Sequence, residues 1–154
     1  MNDNVQKIIL NSNSNLPWYT IESKITIEAR YIRQTSSFDC FAIAILKLEP
    51  YFEKQVAIFE NNLKEIDIGY TILYPQKIYN RDTVNIVNTI NKGIVSGIET
   101  ACLDSKKKSY LIRGIKVTAI SAKYHPVSRS QCYQIATHLT LLKVFNKTKL
   151  ISIQ

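Results

Sequence analysis

Glycine and proline are scarce, with four of each in 154 residues, which excludes a collagen-like or low-complexity chain. No stretch approaches the roughly 18 apolar residues of a membrane span. Met1 to Leu10 (MNDNVQKIIL) lacks the basic segment and apolar core of a secretory leader. The expected localisation is therefore cytoplasmic, with no membrane partner. Cys40, Cys102 and Cys132 are widely separated and form no CxxC pair, which argues against a zinc site or a secreted disulfide framework. They are expected to be reduced core thiols. GxxxxGK[ST], HExxH and GxSxG are missing as well, so no nucleotide, metal, cofactor or catalytic residue is expected.

What is present describes a packed protein of about one domain. Apolar residues make up 45% and charged residues 21%. Twenty Lys and Arg against twelve Asp and Glu give a net charge of +8 and a pI near 9.4, a surface biased toward polyanions. Asn2, Asn4, Asn11, Ser12, Asn13, Ser14 and Asn15 dominate the start. Their polarity cannot offset the entropy of ordering except around Val5 to Leu10. Residues 1–16 are thus expected to be a flexible arm, and residues 17–154 a single domain.

Ile25, Ile27, Ala29 and Tyr31 alternate with Thr26, Glu28, Arg30 and Ile32, which predicts a half-buried strand. Phe41 to Leu48 (FAIAILKL) predicts its antiparallel partner, across the short polar loop Gln34 to Asp39. Between Pro50 and Pro75, Val56–Phe59 and Ile66–Leu73 both read as strands, with Asn61-Asn62 as a turn. Asp82 predicts an N-cap, and Val84, Val87, Ile90, Ile94, Ile98 and Ala101 recur at helical spacing. Gly93 and Gly97 inside that helix mean either close packing against a sheet or a tolerated weakness of about 1 kcal/mol each.

Leu111 to Ile120 predicts a further strand, and SAKYHPV a loop. Ser128 and Gln131 form an S-x-x-Q capping box before a helix whose stripe is Cys132, Ile135, Ala136, Leu139 and Leu142. Leu150 to Ile153 is an optional last strand. Two helices on one face of a mainly antiparallel sheet make a two-layer α+β sandwich.

Three stretches in this order resemble domain IV of the elongation factor G and elongation factor 2 family: Lys24–Thr35 (KITIEARYIRQT), Ile90–Ile98 (INKGIVSGI) and Gly114–Gln131 (GIKVTAISAKYHPVSRSQ). The resemblance spans about residues 24 to 146. It implies a ribosomal protein S5 domain 2-like fold with a left-handed parallel crossover. It also implies a tip that, in the complete factors, meets tRNA and mRNA on the ribosome. The phosphate loop of the GTPase is missing, so no GTP hydrolysis is expected. The glycine-rich sequence of the family's first tip loop is absent from Thr35 to Phe38. Ser128 stands where the family carries an acid, and Arg129 where a small polar residue is usual.

The expected function is a non-catalytic module that binds the ribosome or structured RNA, such as tRNA or rRNA, through Arg33, Gln34, Lys123, Tyr124, His125 and Arg129. The alternative is a protein-interaction or scaffold module. Oligomeric state is not legible. His138, near the apolar stripe, is read as structural. Lys106 to Lys108 precede the Leu111 strand and are expected about 30 Å from the tip.

Overall fold

A computed structural model describes residues 4–10, 17–35, 39–76, 80–103 and 112–153. Its elements in chain order are β1 (Val5–Ile9), β2 (Trp18–Ile21), β3 (Ile25–Arg33), β4 (Cys40–Glu49), β5 (Val56–Asp67), β6 (Ile72–Leu73), α1 (Arg81–Cys102), β7 (Ile112–Arg113), β8 (Lys116–Lys123), α2 (Ser130–Lys147) and β9 (Leu150–Ile153).

The alternation in β3 and the apolar run in β4 form the expected hairpin, in register from Ile25 opposite Leu48 to Arg33 opposite Cys40. β4 then pairs antiparallel with β8, and β8 pairs parallel with β5, giving the order β1-β5-β8-β4-β3. α1 lies on the chain path between the two parallel strands and packs against both, while α2 packs against β3 and β4. The helices also pack on each other, so both cover the same face of this sheet. Ala42, Ala44, Leu46 and Leu48 of β4 point into that layer with Val117, Ala119 and Ala122 of β8. β7, β2 and β9 form a separate small sheet. No helix among the described residues is long and apolar enough to cross a membrane.

Several expectations are corrected. Val5–Ile9, placed in the flexible arm, are an edge strand paired with β5, and Leu10 is fully buried. This is the one apolar run of the arm, where burial offsets ordering. Residues 1–3 and 11–16 lie outside the described residues. Asn61-Asn62 is not a turn; β5 runs through it with a register shift between Asn61 and Glu65. The strand expected from Leu111 to Ile120 divides at Gly114, whose amide bonds to the Tyr19 carbonyl, so that β7 and β8 serve different sheets.

The caps shift too. Asn80, not Asp82, caps α1 by accepting the Thr83 amide at 2.9 Å. Arg129 occupies the cap position of α2 but its side chain makes no capping hydrogen bond to the helix, and the Ser128 hydroxyl is used elsewhere. The buried face of α2 is Cys132, Tyr133, Ala136, Thr137, Leu141, Val144 and Phe145, and Leu139 is exposed. A helix wedged between a sheet and a second helix buries a broader, rotated face than a stripe facing one layer.

The cysteines are not all reduced. Cys40, at the start of β4, is disulfide-bonded to Cys132 in the first turn of α2, with Cα atoms 5.6 Å apart. A separation of 92 residues hides such a pair from any local reading. Cys102 alone is free and buried. Burial pushes its thiol up to about 12, with the Arg113 charge pulling weakly the other way.

Candidate functional site

A bulge aims the central strand at the tip. Ile45 lies opposite Ser121 but Leu46 opposite Ala119, which leaves Ile120 as an extra residue in β8. The extra residue inverts the alternation. Val117 and Ala119 face the helices before it and Ala122 after it, so Lys123 projects to the open face, in one row with Arg30, Ile43 and Asp67. Without the bulge, Lys123 would point into the helix layer.

The loop from Tyr124 to Arg129 is held by polar bonds around Ser128. Its hydroxyl accepts the His125 amide at 2.9 Å and donates to the Phe41 carbonyl at 2.6 Å. Its own amide donates to the His125 carbonyl at 2.7 Å, closing a turn. Ser128 is buried, so these bonds tie the loop to the start of β4 rather than to solvent. Tyr133 adds a strut by donating its hydroxyl to the Lys123 carbonyl at 2.5 Å. Burial raises that phenol well above its usual range, opposed by the Ser128 hydrogen bond, so it remains a donor.

His125 is exposed, and its Nδ1 accepts the Val127 amide at 3.2 Å. That bond assigns the proton to Nε2 and leaves an N–H donor on the free side of the ring. The ring packs on Phe41 with centroids 5.6 Å apart. Arg129 donates from Nη2 to the Asp39 carbonyl at 3.2 Å, which fastens the two loops together.

The six residues expected at the tip are brought to this one end. Arg33, Gln34, Lys123, His125 and Arg129 are exposed. Tyr124 is the exception: it is half-buried against the core, so its ring supports the loop rather than the surface. A recess of about 350 Å³ is lined by Ile32, Arg33, Gln34, Asp39, Phe41 and His125, among others. A larger groove of about 640 Å³ lies beside α1, but its described lining is neutral, with Asn61, Asn88 and Asn91 prominent.

The chain shares its fold with a solved structure. It is similar to the crystal structure of ttk003000868 from Thermus thermophilus, with a TM-score of 0.58 and 20% identity over 88% of this chain. The match covers 18% of that chain, so this protein spans less than a fifth of its neighbour. Likeness at that identity concerns the fold alone. No family model and no curated protein matches the sequence.

One part of the tip escaped the sequence reading. Residues 68–71 join β5 to β6 as a hairpin loop at the same end, because Asp67 lies opposite Lys123 and its carbonyl accepts the Tyr124 amide at 2.8 Å. Asp67 and Gly69 were the available signal: an Asx turn followed by a residue with left-handed backbone. Lys106 to Lys108 lie outside the described residues, as do residues 36–38 of the first tip loop. His138 bonds through Nδ1 to the Thr100 hydroxyl at 2.7 Å, joining the two helices as a structural residue would.

Proposed function

We propose that this protein is a non-catalytic, translation-factor-like module that binds the ribosome or structured RNA through its tip, with a ribosomal protein S5 domain 2-like fold similar to elongation factor G domain IV. The observation that carries this reading is the placing of the exposed Arg33, Lys123, His125 and Arg129 at one end of the sheet. Four ion pairs occur among the described residues: Lys7–Glu53, Lys24–Glu49, Lys47–Glu49 and Lys116–Glu60. None involves Arg33 or Lys123, both exposed at the tip end, where Arg33 lines one recess with His125 and Lys123 projects from the opposite face of the sheet. Exposed cations and an imidazole N–H donor held by bonded loops suit phosphate oxygens and base edges. The parallel β5 and β8 with α1 on the path between them support the finer fold assignment.

A specific observation also favours protein interaction. Edge strand β1 exposes Val5 and Ile9, the latter at 57%, and an apolar edge is a template for strand addition.

Ribosome co-sedimentation over a salt series tests the first reading. Arg33→Glu with Lys123→Glu should weaken binding and lower the log–log salt slope by roughly 0.7–0.9 for each phosphate no longer neutralised. Arg129 is left intact because it holds Asp39. Lys143→Glu with Lys149→Glu, in the last turns and just past the far end of α2, a helix about 27 Å long, should do less. Equal effects from both pairs would overturn the tip assignment, and an absence of ribosome binding at any salt would favour the edge.

A further inference from the structure

We infer that Tyr70 is a nucleobase-stacking residue, making the β5–β6 hairpin a third arm of the tip that takes an unpaired base of RNA. This rests on the RNA-binding reading above and adds the chemical class of the ligand it grips.

Tyr70 is 88% exposed, the most open large apolar side chain among the described residues. A lone exposed ring is ordinary. This one stands on a built support. Gly69 takes φ of +99°, and its amide donates to Asp67 Oδ1 at 2.8 Å. The Ile68 amide donates to the Thr71 carbonyl at 3.1 Å, closing the loop. The Asp67 carbonyl, in turn, holds the Tyr124 amide of the cation-bearing loop. Position 70 is therefore fixed to Lys123 and His125 through backbone, three residues beyond the Asp67–Lys123 pair. The Asp67 carboxylate is turned into its own loop, where the amide occupies one oxygen.

From β5 to β3 the tip is three strand spacings wide, about 14 Å. Tyr70 marks one side and Lys123 the centre, while Arg33, at the other side, projects from the opposite face together with the recess that His125 lines. A neutral aromatic face three residues past the strand pair that carries Lys123 is an arrangement that grips unpaired nucleotides, with the ring stacking on the base and the cation meeting the backbone. Paired bases present no free face, so the ligand is a loop or bulge rather than a plain duplex.

Fluorescence anisotropy with a labelled RNA hairpin carrying an unpaired loop, and with its fully paired counterpart, tests this. Tyr70→Ala should weaken loop RNA by about 5- to 150-fold, the range of one base–aromatic stack, and leave duplex binding unchanged. The salt slope should stay as in the wild type, because the charge is the same, and Tyr70→Phe and Tyr70→Trp should restore affinity. If Tyr70→Ala binds the loop RNA normally while Arg33→Glu with Lys123→Glu is impaired, the stacking role is wrong and the RNA reading stands. Equal losses on both RNAs, or a Phe variant as weak as Ala, would also overturn stacking. If the wild type binds neither RNA, the RNA reading falls and the inference with it.

Discussion

Gly93 and Gly97 decide how closely the helices approach. A Cβ on Gly93 would collide with the Ser130 carbonyl oxygen and lie 2.7 Å from Tyr133 Cβ; one on Gly97 would lie 2.6 Å from Thr137 Cβ. The close packing left open by the sequence is thus against α2, not the sheet. Ser130 is the first residue of α2, so any shift it makes is passed to Arg129 and the tip loop. Gly93→Ala gains about 1 kcal/mol of helix propensity but must push two backbones apart. Its expected net cost is about 1–3 kcal/mol, read as a lower urea midpoint with an unchanged m-value.

Among elements, β4 and α2 carry the tip between them and are locked at that end by Cys40–Cys132. Ser128 bonded to the Phe41 carbonyl and Arg129 to the Asp39 carbonyl reinforce the same junction. Closing a loop of this length restrains the unfolded chain strongly. Reduction, or Cys40→Ser with Cys132→Ser, should therefore cost about 2–4 kcal/mol, measured by chemical denaturation with and without reductant. Both sulfurs are buried, so the native protein should be reduced slowly by dilute thiol and quickly once denaturant opens it.

Seen whole, the molecule gathers Arg33, Lys123, His125 and Arg129 at one end and keeps two weakly acidic protons inside. Cys102 and Tyr133 both have raised values through burial. The sign follows from linkage: the folded state holds protons that the unfolded state releases, so stability is complete below the unfolded values and falls as pH rises through them. Thermal stability should decline from about pH 9 toward pH 12 for Cys102, with Tyr133 adding in the same direction from pH 10 upward. Cys102→Ala should make the decline shallower when melting is followed across that window. An unchanged slope would mean that the thiol does not titrate with unfolding.

The β3–β4 hairpin and both helices were legible because each is specified by the period of its own apolar residues, a property of near neighbours. The positions of Arg33, Lys123, His125 and Arg129 followed from the hairpin, the strand and the loop before α2. Other features were settled only by distant contacts. Val5–Ile9 became a strand because β5 offers an open edge, and Gly114 divides a continuous apolar run because Tyr19 captures its amide. The disulfide exists because two residues 92 apart share one corner. Lys123 faces the open side because a single bulged residue inverts the strand's alternation, and Tyr70 joins the tip because β5 is one strand rather than two. Local pattern determined which segments are helix or strand; pairing, register and the membership of the tip depended on which segments met, and no window of sequence contains that information.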